Sequence, residues 1–276
     1  MRDACDRATT FFRQVFRLAM FSLLVLTYGS GAILIYFFTR DKFRTRMFLA
    51  RWVRLHSRLL LFIFGVSIGV DSQNPGVDIS STSRINSNFI VSNHLGYLDA
   101  LVLSSLLPVS FVTSVEMRDA FFIGWLTRLS GCLYVERRNK ANIESEIIEL
   151  TRALNSRLNV CVFPEATSTN GESVLRFRQP LYNAAVISGQ PVLPACLNYE
   201  TINNERVTPF NRDLLFWYGD MPFFSHLWNF WSIRRAKVRV TFGAPIYSTL
   251  HAETAGQLAA SSHQFVSSIY RPITGV

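Results

Sequence analysis

Leu18 to Phe38 is a run of 21 residues without a charge, and it constrains the chain more than any other stretch. As a helix it is about 32 Å long, enough to cross the hydrocarbon of a bilayer. Arg17 precedes the run, and Arg40, Lys42, Arg44 and Arg46 follow it. A removable signal sequence fits less well, because the run is long and no small-residue cleavage site follows. Tyr28-Gly29-Ser30-Gly31 lies in its middle, where a bend would give a re-entrant or interfacial hairpin instead of a span. The heavier basic load after the run predicts that the remainder lies on the cytoplasmic face of a membrane.

Arg40 to Leu61 reads as an amphipathic basic helix. Phe48, Trp52, Leu55 and Leu59 recur at helical spacing, with Arg44, Arg51, Arg54 and Arg58 on the adjoining face. That pattern predicts an interfacial helix on anionic lipid. Residues 1–64 are therefore expected to form a membrane-anchoring unit, and residues 65–276 a catalytic domain. Composition agrees: the chain is 49% hydrophobic and only 17% charged, yet carries a formal net charge of +9. A greasy, basic protein points to membrane surfaces or anionic substrates. Nucleic acid is not an expected partner, because the Lys and Arg belong to no recognisable nucleic-acid module.

From about Asn86 short apolar runs alternate with helical patterns. Strands are expected at 88–92, 110–113, 132–135, 159–163, 192–198 and 237–242. Helices are expected at 97–106, 119–129, 142–158, 180–188 and 252–269. The fold class is α/β, a mostly parallel or mixed sheet covered by helices, with the membrane-associated helical segment before it. Cys5, Cys132, Cys161 and Cys196 have no CxxC spacing, and no His, Cys and carboxylate cluster calls for a metal. Gly65-Val66-Ser67-Ile68-Gly69 has the G-x-S-x-G spacing, but a turn-rich stretch follows the serine where a nucleophile elbow needs a helix.

Candidate chemistry lies where strands end. His94 follows the apolar Phe89-Ile90-Val91, and Asp99 comes five residues later. With His94 in the turn and Asp99 in the first helical turn, the carboxylate can fold back on the imidazole. It would fix the tautomer and leave the other nitrogen as a base. A loop histidine beside a helix-capping aspartate gives the same spacing. Arg137, after Gly131-Cys132-Leu133-Tyr134-Val135-Glu136, is a guanidinium placed to bind a phosphate. Phe163-Pro164-Glu165-Ala166-Thr167-Ser168 is a strand running into a turn that can present amides and hydroxyls to an anion, with Glu165 capping or bracing it. Val192-Leu193-Pro194 suits a cleft wall. The aromatic stretch from Trp217 to Trp231 suits either a membrane interface or a buried helix.

The order of these blocks resembles the glycerolipid acyltransferase family that includes 1-acylglycerol-3-phosphate acyltransferases. The family's N-H-x-x-x-x-D block reads Asn93 to Asp99. Its G-x-x-x-x-x-R block is Gly131 to Arg137, its F-P-E-G-T block Phe163 to Thr167, and its proline block Val192 to Pro194. The resemblance covers about residues 60–245. It implies transfer of a fatty acyl group from acyl-CoA or acyl carrier protein to a lysolipid hydroxyl, without a covalent acyl-enzyme and with no cofactor. His94 and Asp99 would be catalytic, and Arg137, Glu165, Thr167 and Ser168 would bind the acceptor. Two positions depart from the pattern. Ala166 replaces the usual glycine and predicts a tighter turn or a negative φ. Ser168 stands where many members carry arginine, leaving Arg137 with Arg176 or Arg178 to hold the head group. The expected acceptor is 1-acyl-sn-glycerol-3-phosphate, giving phosphatidic acid. The missing arginine keeps lyso-ornithine lipid, another lysophospholipid, or an inactive lipid-binding role as alternatives.

Overall fold

Among the described residues, the alternating apolar runs assemble into one eight-stranded mixed sheet with helices on both faces. A computed structural model describes residues 2–72, 87–136, 142–248 and 254–274. In chain order these form α1 (Arg2–Phe38), α2 (Lys42–Phe64), β1 (Val66–Ser72), β2 (Phe89–Ser92), α3 (Tyr97–Leu106), β3 (Ser110–Ser114), α4 (Val115–Asp119) and α5 (Phe121–Leu129). There follow β4 (Leu133–Val135), α6 (Ile143–Asn155), β5 (Val160–Val162), α7 (Asn183–Ser188), β6 (Val192–Ile202), β7 (Glu205–Arg206), α8 (Phe223–Phe230), β8 (Ala236–Phe242) and α9 (Ala255–Ile269).

The strand order is β1-β8-β6-β2-β5-β3-β4, with β7 added to β6. Strands β2 to β6 run parallel, whereas β8 is antiparallel to β6 and β1 is parallel to β8. β2 lies mid-sheet and is buried at every position, which is why its sequence is continuously apolar rather than alternating. Consecutive side chains of β6 mark the two faces. The Asn198 amide reaches the Ile269 carbonyl at the end of α9, while Tyr199 reaches Asp99 of α3 on the other face.

α1 is a single unbroken helix, starting well before the uncharged run. Arg17, at the start of that run, is buried. Its guanidinium donates to the carbonyls of Ile63 and Phe64, to those of Trp231 and Ile233, and to that of Arg234. These carbonyls lie at and just beyond the ends of α2 and α8, where helices leave acceptors unpaired and their dipoles favour a cation. Arg13 and Gln14 donate to Ser232 and Trp228 carbonyls nearby. Towards the other end, the Tyr28 and Tyr36 hydroxyls donate to the carbonyls of Leu126 and Arg128 in α5. The helix is thus docked lengthwise on the domain, and its opposite face, with Phe12, Phe16, Leu26, Ile33 and Phe37, is exposed.

The two glycines expected to bend this helix serve instead as notches. A Cβ at Gly31 would lie 2.3 Å from the Trp52 ring of α2, and one at Gly29 would lie 2.7 Å from the Trp125 ring of α5. Trp52 is accordingly packed against α1, donating to the Tyr28 carbonyl at 3.0 Å. Arg54 and Arg58 of α2 also make contacts to α3. Both direct Nε at the Ser105 carbonyl, at 3.4 and 2.8 Å, capping the end of α3. Phe48, Leu55, Leu59 and Phe62 remain on the exposed side of α2.

Candidate active site

β2 stops at Ser92, and the chain turns out of the sheet before α3 begins. Asn93 makes this exit possible. Its Oδ1 accepts from the Leu197 N–H at 2.8 Å and its Nδ2 donates to the Leu197 carbonyl at 3.0 Å. The side-chain amide stands in for a peptide and extends the β2–β6 pairing by one rung after the backbone has left. His94 is the first residue free of the sheet.

Its imidazole Nδ1 lies 3.0 Å from Asp99 Oδ2. Asp99 occupies the third position of α3, close enough to fold back over the turn. The same Oδ2 accepts from the backbone N–H groups of Leu95 and Gly96, the latter at 2.9 Å. This carboxylate therefore caps the helix and orients the histidine at once, combining the two roles that sequence spacing left open. Gly96 is required by crowding. A Cβ there would sit 2.7 Å from the backbone nitrogen of Trp217, whose N–H donates to the Leu95 carbonyl at 2.9 Å.

The imidazole stacks on Phe163, with ring centroids 4.0 Å apart and planes 12° from parallel. Phe163 follows directly after β5, which pairs with β2, so two neighbouring strands deliver the ring pair. Glu165 is buried directly behind. One of its oxygens accepts the His94 N–H at 2.8 Å and the other the Leu175 N–H at 2.8 Å. Burial pushes its carboxyl up to about 7, against the two amide hydrogen bonds that lower it. Both Glu165 oxygens thus face backbone, and the residue braces the loop 163–178 against the histidine. Thr169 adds a bond from its N–H to the His94 carbonyl at 2.9 Å.

Ala166 adopts φ 62°, in the left-handed region, and its N–H closes a turn to the Phe163 carbonyl at 3.0 Å. The negative φ expected from its methyl group is incorrect: the turn dictates the conformation and alanine bears the strain. Thr167 is exposed and Ser168 half-buried at the tip of the same loop. Arg137 lies outside the described residues. Ser67 lies within β1, its hydroxyl on the Ala236 carbonyl at 3.2 Å, so the G-x-S-x-G spacing builds no elbow.

His94 and Phe163 line an apolar cavity of about 300 Å³. Its walls come from α3, α5 and the 217–227 stretch, and from α1 and α2 through residues such as Phe21, Tyr28, His56 and Phe64. The aromatic stretch near the carboxyl end forms α8 and lines this cavity with Phe223 and Leu227. His226 of α8 is buried against Tyr97, its Nδ1 3.0 Å from the Tyr97 hydroxyl. It makes no pair with Asp220, which is exposed. The contribution of α1 to the cavity wall had no signature beyond its hydrophobicity.

Residues 78–198 match the Acyltransferase family. A lyso-ornithine lipid O-acyltransferase of Rhodobacter capsulatus is 32% identical over 164 residues, which cover 57% of this chain and 56% of that protein. A 1-acyl-sn-glycerol-3-phosphate acyltransferase of Neisseria meningitidis is 26% identical over 157 residues, covering 57% of this chain and 59% of that protein. The chain thus spans a little over half the length of these curated relatives. The crystal structure of a 1-acyl-sn-glycerophosphate acyltransferase from Thermotoga maritima superposes with a TM-score of 0.65 at 17% identity, covering 95% of both chains, and shows the shared fold. The segment 78–198, whose His94 turn, braced loop and proline strand come from the neighbouring strands β2, β5 and β6, is thus similar to the Acyltransferase family.

Proposed function

We propose that the protein transfers a fatty acyl group from a thioester, carried by coenzyme A or acyl carrier protein, to the free hydroxyl of a lysolipid. The observation that carries this reading is an Asp99-oriented imidazole at the mouth of an apolar cavity. Asp99 holds Nδ1 and leaves Nε2 to take the acceptor's hydroxyl proton. The oxygen attacks the thioester carbonyl, the C–S bond breaks, and the proton passes from Nε2 to the departing thiolate. General-base assistance of this kind is worth ~10²–10⁴-fold. The cavity takes an acyl chain, which explains why a catalytic cleft is lined so largely by hydrocarbon.

The exposed apolar face of α1, with Phe48, Leu55, Leu59 and Phe62 of α2, seats the domain on the bilayer surface where both substrates reside. Arginines after the hydrophobic run favour the cytoplasmic leaflet. Glu165 acts by positioning His94 and the loop, and binding of the acceptor head group is assigned to Thr167, Ser168 and Arg137.

Two acceptors fit. 1-Acyl-sn-glycerol-3-phosphate is the first, giving phosphatidic acid. Lyso-ornithine lipid is favoured by one specific feature, Ser168, where a fixed cation for a phosphate is missing. The deciding experiment offers purified full-length protein a panel of lysolipids, each with acyl-CoA and with acyl carrier protein. Transfer to a lysolipid, lost in His94→Ala, is the expected result. Failure to acylate any lysolipid with either donor refutes the reading in favour of an inactive lipid binder.

A further inference from the structure

Asp99 is completely buried, and its two oxygens are held unequally. His94, Leu95 and Gly96 all donate to Oδ2. Among the described residues the Oδ1 atom has one partner, the hydroxyl of Tyr199, at 2.9 Å. We propose that Tyr199 is a positioning residue for the Asp99–His94 pair: its phenol neutralises the oxygen that His94 does not use and sets how strongly the carboxylate favours a protonated imidazole. The proposal rests on the reading of His94 as the base.

The placement of Tyr199 is built into the sheet. It lies on β6 immediately before a register shift between Tyr199 and Thr201 against β8, and such irregularities re-aim side chains beside sites. Its ring packs edge-on against buried Phe216, centroids 5.5 Å apart. Burial, with the negative charge of Asp99, holds the phenol protonated far above its ordinary range. Tyr199 is therefore a hydrogen-bond donor at every working pH.

Hydrogen bonds to a carboxylate disperse its charge and lower its proton affinity. Removing the Tyr199 donor leaves Oδ1 buried and unpaired, so the charge seen by the imidazole grows. His94 then holds its proton to higher pH, and less of it is available as a base. A hydroxyl that merely stabilised the fold would lower the melting temperature without moving this equilibrium.

The test uses full-length protein in detergent micelles. Tyr199→Phe preserves the ring against Phe216. The expected result is an unchanged KM for the acceptor, with kcat on the acidic side reduced about tenfold, because the ascending limb of the pH profile moves up by about one unit. The His94 ring resonances, followed by NMR, should titrate at correspondingly higher pH. Replacing Tyr199 by 3-fluorotyrosine, a stronger donor, should move the titration the opposite way. A His94 titration identical in the parent, Tyr199→Phe and 3-fluorotyrosine proteins overturns the proposal. Full transfer by His94→Ala would instead remove the base assignment, and the NMR titration would still decide whether Tyr199 is coupled to His94.

Discussion

At the His94 turn, each side-chain oxygen and nitrogen of Asn93, Asp99 and Glu165 has a partner within the protein. Along α1, by contrast, contact is made by apolar side chains, two glycine notches and a few polar pins gathered around Arg17 and the two tyrosines. The first region is specified by direction and the second by shape. Hydrogen bonds fix atoms to within tenths of an ångström, as proton transfer demands, whereas hydrophobic contact is non-directional and tolerates the variety a lipid chain imposes.

The contrast can be broken most sharply at the base. His94→Ala should lower kcat by ~10²–10⁴-fold with little change in melting temperature, measured by acyl transfer and by thermal unfolding of the same preparation. On the other side of the comparison, Arg17→Met leaves several buried helix-end carbonyls without a donor. It should cost about 3 kcal/mol of stability in denaturant unfolding, since hydrogen bonds to charged groups are each worth roughly 1.5–3 kcal/mol. An unchanged unfolding midpoint would mean that apolar packing alone docks α1.

Glu165 joins the two behaviours, because its buried carboxyl titrates at about 7. Its proton affinity is higher in the folded chain than in the unfolded one, where it would titrate near 4.5. The folded state therefore binds the proton more tightly. The stability this group contributes is full below pH 4.5 and is lost as the pH rises towards 7. Activity should run the other way, since only the ionised carboxylate accepts from both His94 and Leu175. Glu165→Gln should flatten this decline in melting temperature between those pH values. It should also lower kcat about tenfold, a typical cost of losing one positioning hydrogen bond of roughly 1.4 kcal/mol. The smallest effect is expected at Ala166→Gly, which relieves the left-handed strain and should add about 0.5–1 kcal/mol to unfolding stability while leaving KM unchanged.

What could be read in advance follows the same division. The helix Tyr97–Leu106 and the strand at 160–162 were visible because apolar runs and their stops are local. His94 and Asp99 were visible because five residues separate them. The role of Tyr199 was not, since it depends on a residue 100 positions away and on a bulge that no composition announces. Gly29 and Gly31 read as a hinge because a glycine's own freedom is local knowledge, while the tryptophans filling the notches come from other helices. The capping of α3 by Arg54 and Arg58 was not legible for the same reason, their carbonyl partner belonging to another helix. Ala166 misled because a side-chain preference was weighed without the turn that overrules it.

The lengthwise docking of α1 ties two properties that are usually separable. One helix supplies both the greasy outer face and part of the inner wall around the apolar cavity. Trimming α1 away would therefore also remove part of the cavity wall. Exchanging residues 1–64 between relatives should transplant chain-length preference together with membrane affinity, so that lineages adapting to a new bilayer would re-tune, with the same substitutions, the lipids they build into it.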